Sequence, residues 1–267
     1  MAEHAQPIAT YREFLTALLS DRERFFEEVV DTVALPAKLR YAVVTIIGLS
    51  AFFGLVAGAY SGPAQALSSA IKLPFLFFAT FLICFPAFFV VQVLVGSRLR
   101  LLQVTVLMFG SLALTSVLLA ALVPITLFFL VTGSNYYFQH LLNIAIAGVA
   151  GLFGLYALHE GLSLVCEKRG VYPRKALTIM RVWAVLFAFV GIQLAWNLRP
   201  FLGDRSEPFR IIGNYQGNFY TAILYATKQL LAGDQRPAAP GTPAAPPQQY
   251  RRLPFDTAAD TARSRRP

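Results

Sequence analysis

The stretches YAVVTIIGLSAFFGLVAGAY (41–60), PFLFFATFLICFPAFFVVQVLV (74–95) and LLQVTVLMFGSLALTSVLLAALVPITLFFLV (101–131) decide the fold. They lie in a run, Thr32 to His159, that contains no Asp and no Glu. Carboxylates and ammonium groups are both costly in hydrocarbon, so a long acid-free run crowded with Phe, Leu, Val, Ile and Ala reads as repeated passage through a bilayer. A helix needs about 20 apolar residues to cross a hydrocarbon core about 30 Å thick. Two further apolar segments, 140–164 and 179–198, bring the plan to about five spans. The predicted fold class is all-α: a polytopic transmembrane helix bundle with an N-terminal amphipathic helix and a disordered Pro/Ala-rich C-terminal tail.

Composition agrees. Of 267 residues, 56% are hydrophobic and 14% charged, against about 45–50% and about 25% in an ordinary soluble domain. The net charge of +9 is unevenly spread: the first 40 residues hold five Lys/Arg against seven Asp/Glu, and the last 70 hold ten against five. No basic patch is interleaved with aromatics on a soluble fold, so no nucleic-acid partner is expected. Cys84 and Cys166 sit far apart in apolar segments and read as free thiols rather than a disulfide.

Outward from the spans, residues 1–40 form an arm predicted to be cytoplasmic. Its first ten residues have neither the basic n-region nor the early apolar stretch of a signal peptide. From Tyr11 to Val33, Tyr11, Phe14, Leu15, Leu18, Phe25, Phe26, Val29, Val30 and Val33 recur at three and four residues, which predicts one amphipathic helix ending before Pro36. This helix either binds a protein partner through residues 11–33 or packs under the bundle. Pro86 is expected to kink the second span and Pro124 to bend the third, whose length demands a tilt or a bend. Residues 64–73 are polar enough to lie at the interface, Tyr136, Tyr137 and Phe138 suit the headgroup level, and Asn218–Leu231 reads as an interfacial helix within 201–233. Residues 234–267 form the tail. Lys and Arg are frequent in the arm and in the loops after the second and fourth spans, and scarce in the loops between, which predicts a cytoplasmic N-terminus. The ten basic residues after Leu198 pull the other way.

Small residues mark helix-packing faces: Gly54 and Gly58 in the first span, and Gly148, Gly151 and Gly154 in the fourth. His159 and Glu160 are the candidate polar pair at membrane depth, with Glu160 expected to pair with Lys168, Arg169 or Arg181. The sequence His159-Glu160-Gly161-Leu162-Ser163 is not the metalloprotease pattern. There is no phosphate loop, nucleophile elbow or paired carboxylate in a span, so neither a metal, a cofactor nor an enzymatic activity is expected. Asn143, Gln193, Asn197 and Arg199 form a second candidate group on the opposite membrane face: either a polar mouth for a solute path or, as the favoured reading, Trp196 and Arg199 anchoring the helix at the interface while Gln193 and Asn197 hydrogen-bond to a neighbouring span.

The stretch Gln193-Leu194-Ala195-Trp196-Asn197-Leu198-Arg199-Pro200-Phe201-Leu202-Gly203, with Glu207-Pro208-Phe209 and Gly217-Asn218-Phe219-Tyr220 after it, resembles the end of a little-characterised family of bacterial integral membrane proteins. Ala70-Ile71-Lys72-Leu73-Pro74 and Gly96-Ser97-Arg98-Leu99 are similar to the same family. The resemblance implies a multi-pass protein of the bacterial inner membrane and no particular activity. In architecture the chain also resembles Yip-type membrane-trafficking proteins. Two functions are open: a non-enzymatic membrane scaffold or adaptor, or an oligomeric channel or transporter for a small solute or ion, with hydroxyls such as Ser111, Thr115 and Ser116 lining the path. The lipid bilayer is a partner in both, and self-association into a homo-oligomer belongs to the second.

Overall fold

Polar side chains point inward here and apolar ones outward. In the computed structural model Thr45, Ser50, Ser69, Thr80, Gln92 and Ser116 are all buried, while Val44, Phe52, Leu82, Phe128, Leu152 and Val185 are exposed. In water that surface would drive aggregation; in lipid it costs nothing, because acyl chains are as apolar as leucine. The structure describes residues 8–94, 99–133, 135–169, 174–203 and 219–231, all in a unit ending at Leu231. The Pro/Ala-rich tail, the turn Gly96–Arg98 and the segments 170–173 and 204–218 lie outside the described residues.

Nine helices and no strand occur among the described residues: α1 Tyr11–Ser20, α2 Arg22–Val30, α3 Leu35–Gly58, α4 Pro63–Leu94, α5 Leu101–Ala121, α6 Val123–Val131, α7 Tyr136–Arg169, α8 Arg174–Asn197 and α9 Phe219–Leu231. Four stretches are long and apolar enough to cross a membrane: α3, α4, α5 continued by α6, and Tyr136–Gly161 of α7. The fifth predicted span is α8, whose described apolar part, Arg181–Asn197, is shorter. The protein is therefore a multi-pass integral membrane protein.

The predicted single helix over 11–33 is two. Asp21 breaks it, closing α1 through its N–H to the Ala17 carbonyl and capping α2 through its carboxylate on the Arg24 N–H. A side-chain acceptor suited to the start of a helix ends one helix and begins another at a single position. The break lets both short helices turn their apolar sides the same way, and Phe14, Leu18, Phe25, Phe26 and Val29 enter the main core with residues of α3, α4, α5 and α7. The arm thus packs under the bundle.

Residues 63–73, predicted as a separate interfacial segment, are the first turns of α4, which runs unbroken through Pro74 and Pro86. At 1.5 Å per residue its 32 residues extend about 48 Å, about 18 Å more than the hydrocarbon needs. Pro74 and Pro86 each withdraw a backbone donor without ending the helix, as neighbouring helices hold it. The third span does divide near Pro124, which occupies the start of α6, where its missing N–H is no loss. The most enclosed helix is α5, buried along most of its length.

Contacts at the two ends fix the path of the chain. At one end Gln103 at the start of α5 donates to the carbonyls of Val29 and Val30, and Arg22 meets Glu160 near the end of α7. At the other, Tyr60 after α3 packs on Tyr136 at the start of α7. Helix α8 joins the two ends: Arg181 donates to His159, while the carbonyls after Asn197 are held by the start of α4. All five apolar segments run the length of the bundle, and the end of α8 lies opposite the arm.

Candidate functional site

At the arm end, His159 and Glu160 do meet charged partners, but not as a pair acting on one ligand. Glu160 Oε2 lies 3.0 Å from a guanidinium nitrogen of Arg22 on α2, a partner not among Lys168, Arg169 and Arg181, of which the side chains of Lys168 and Arg169 lie outside the described residues. The sequence could not reveal this partner, because Arg22 is distant in the chain and reaches α7 only once Asp21 breaks the arm. Arg181 Nε donates instead to His159 Nε2 at 3.3 Å. Ser163 Oγ donates to the His159 carbonyl and lies 3.5 Å from Nδ1. No group of three or more His, Cys, Asp or Glu that could hold a metal occurs among the described residues.

Beside this pair lies a buried ion cluster that sequence reasoning passed over. Lys38, wholly inaccessible, places Nζ 2.8 Å from Glu28 Oε2 and donates to the Val33 carbonyl at 2.6 Å. Glu28 also accepts from Arg24 Nε at 3.2 Å and from the Ile8 N–H at 3.1 Å. Between these partners the chain turns through Thr32 and Ala34, both with positive φ (60° and 48°), a conformation that costs a β-branched residue about 1–2 kcal/mol. The ion pair and the packed arm hold it there.

At the opposite end Asn143 is engaged by α6. Asn143 Oδ1 lies 3.3 Å from Thr126 Oγ1 on α6, beside Gln139, which donates to the Thr126 carbonyl. Gln193 is half-buried and Asn197 exposed. The Arg199 guanidinium lies 3.6 Å from the Trp196 ring centroid. Burial lowers its pKa from the ordinary guanidinium value, an effect that Tyr136 opposes.

What organises this end is a strap, Arg199–Gly203, laid over the start of α4. Gln65 Nε2 donates to the Pro200 carbonyl at 2.6 Å, Ser69 Oγ to the Phe201 carbonyl at 2.5 Å, Ser61 Oγ to the Leu202 carbonyl at 2.7 Å, and Lys72 Nζ to the Pro200 carbonyl at 3.0 Å. Gln65, Ser69 and Lys72 are spaced four and three apart, so they share one face of α4. A strap without secondary structure leaves three successive carbonyls to satisfy near hydrocarbon, and this polar face satisfies them. The spacing was legible in the sequence; its target was not.

The glycines divide. A Cβ at Gly54 would press into the Ser69 carbonyl and one at Gly58 would come within 2.6 Å of the Gln65 carbonyl, so both serve the close approach of α3 and α4. A Cβ at Gly154 would collide with Thr115 of α5. Gly148 and Gly151 have open space within the chain, against the prediction of a packing stripe. Two further glycines, not singled out from sequence, receive the arm: a Cβ at Gly110 would lie 2.8 Å from the Phe25 ring, and one at Gly161 would collide with Phe26.

An all-helical, inside-out bundle with a docked arm defines the class: a multi-pass integral membrane protein. Comparisons with family models, curated proteins and solved structures gave no match.

Proposed function

We propose that the protein is a non-enzymatic scaffold of the bacterial inner membrane, with the arm in the cytoplasm and the bundle as its anchor. The supporting observation is how the hydroxyl groups in the middle of the bundle are used. Ser111 donates to the Gly154 carbonyl at 2.5 Å, Thr115 to the Ser111 carbonyl at 3.1 Å and Ser116 to the Leu112 carbonyl at 2.9 Å, all three buried. Groups that a channel would turn to a solute are spent on backbone, and between Lys72 and Glu160 the sequence has no Asp, Glu or Lys, its two arginines, Arg98 and Arg100, lying before α5 and its two histidines in α7. Ion-coupled transport needs a protonatable or cation-binding group at mid-bilayer. The apolar side of the arm is occupied within the chain, so a protein partner reads its outer side, where Tyr11, Arg12 and Leu19 are exposed.

The test is structure determination in lipid nanodiscs with mass photometry, beside copurification from cells. A monomer or dimer with a filled interior, and loss of copurifying proteins in Arg12→Glu/Leu19→Glu, supports the scaffold. A symmetric ring around a continuous polar path overturns it in favour of an oligomeric channel.

A further inference from the structure

Lys72 is a buried cation that meets no counter-charge among the described residues. The residue is 7% exposed. Of the three donors on its ammonium, one meets an acceptor, the neutral Pro200 carbonyl at 3.0 Å. The Phe201 ring centroid lies 5.9 Å away, near the limit for a useful cation–π contact. Gln65 and Ser69 donate to carbonyls of the same strap and, being neutral, offer Lys72 no counter-charge. Among the described residues no carboxylate pairs with Lys72, and the sequence has none from Thr32 to His159. An ammonium withdrawn from water is retained when a partner of opposite charge offsets its desolvation, and one carbonyl falls well short of that.

Its depth indicates what kind of partner is missing. The 21 residues from Pro74 to Leu94 complete α4 and by themselves extend about 31 Å, the thickness of the hydrocarbon. Lys72 therefore lies at the level of the lipid phosphates. The flanking Ile71 and Phe75 are 65% and 55% exposed, so acyl chains run alongside. Arg199 opens the same strap, with its guanidinium on the Trp196 ring. Trp196, Phe219 and Tyr136 supply aromatic rings of the kind that settle at headgroup depth.

We propose that Lys72 forms a binding site for a phosphate-type oxyanion at the end of the bundle opposite the arm. The anion is either the headgroup phosphate of an anionic phospholipid or a free phosphate. Charge-assisted hydrogen bonds from a desolvated ammonium make Lys72 the chief determinant of affinity.

Native mass spectrometry and thermal unfolding of the full chain in detergent test this, with phosphatidylglycerol, phosphatidylcholine or inorganic phosphate added. Phosphatidylglycerol should bind and raise Tm more than phosphatidylcholine, and K72M should weaken that binding about 10- to 100-fold. Q65A loosens the strap but keeps Lys72, so it should lower Tm in the absence of lipid and leave the phosphatidylglycerol increment intact. A response to phosphatidylglycerol alone identifies a lipid headgroup; an equal Lys72-dependent response to inorganic phosphate identifies a free anion. Should K72M not fold, protection of Lys72 from amine acylation by phosphatidylglycerol in the unmodified chain gives the same reading. The proposal is overturned by an increment that survives K72M, by no increment in the unmodified chain, or by no protection of Lys72; Lys72 would then only hold the strap.

Discussion

The energetic contrast between two ion pairs on Glu28 shows how burial decides a residue's importance. Arg24, four residues away and 30% exposed in its side chain, competes with water, whereas the Lys38 side chain has no exposure. Arg24→Ala should cost about 0.3–0.5 kcal/mol. K38M should cost about 3 kcal/mol, near the lower end for breaking a buried pair because Arg24 and the Ile8 N–H remain on the carboxylate. Thermal unfolding of the two variants in detergent checks the order, and equal shifts would contradict it.

Glu13 gives a residue-scale prediction in pH. Its carboxylate accepts from the Ala9 N–H at 2.9 Å and from the Thr10 N–H at 3.4 Å, while the Glu13 N–H bonds to Thr10 Oγ1 at 3.3 Å. The Ala9 bond is the chief cause holding its pKa below the ordinary glutamate value. A carboxyl depressed on folding contributes stability above its unfolded pKa and loses it as pH falls through the folded one. The first turn of α1 should therefore fray selectively in acid, read as lost amide-exchange protection at Glu13 and Phe14 after correction for intrinsic rates. Protection that persists through full carboxylate protonation would remove Glu13 from the cap. The capping pair Thr10-x-x-Glu13 was legible in the sequence because capping is local; the Glu28–Lys38 pair was not, because it depends on where the Thr32 and Ala34 turn sends the chain.

At the scale of elements, periodicity identified the helices and could not rank their faces. Gly54-x-x-x-Gly58 and the Gly148, Gly151, Gly154 series look alike as small-residue patterns, yet only the first pair and Gly154 meet a neighbour. Which face of a lipid-embedded helix turns inward is set by packing, since no hydrophobic difference separates a helix neighbour from an acyl chain. Gly54→Ala forces Cβ into a backbone carbonyl that cannot swing aside, and should cost about 1–3 kcal/mol. Gly148→Ala and Gly151→Ala should leave the monomer's stability unchanged or raise it slightly, alanine being the better helix former. Unfolding midpoints of the three variants in detergent check this, and a loss at Gly148 matching that at Gly54 would contradict the assigned faces. The arm follows the same logic: its apolar spacing was plain, whereas the break at Asp21 and the seats at Gly110 and Gly161 required the partner helices to be in place.

For the whole molecule the open question from sequence was the number of crossings, because the basic residues after Leu198 argued against an odd count. The positive-inside tendency acts through loops close to the spans and weakens for long segments, and most of those residues lie in or beyond 204–218. Within the bundle, α8 reaches His159 at one end through Arg181 and hangs its following strap on Gln65 and Ser69 at the other. A segment tied at both ends of a bundle about 30 Å thick has crossed it. With a cytoplasmic arm, the α3–α4 connection and the strap then face away from the cytoplasm. Single cysteines at the exposed positions Ser20 and Ala64, placed in a chain with Cys84→Ala and Cys166→Ala, should divide under a membrane-impermeant maleimide. Ala64→Cys should label in intact cells, and Ser20→Cys only after the membrane is opened. Labelling of both from one side would contradict α3 as a crossing, while labelling in the reverse order would keep the five crossings and invert the whole protein, moving the Lys72 oxyanion site to the cytoplasmic leaflet.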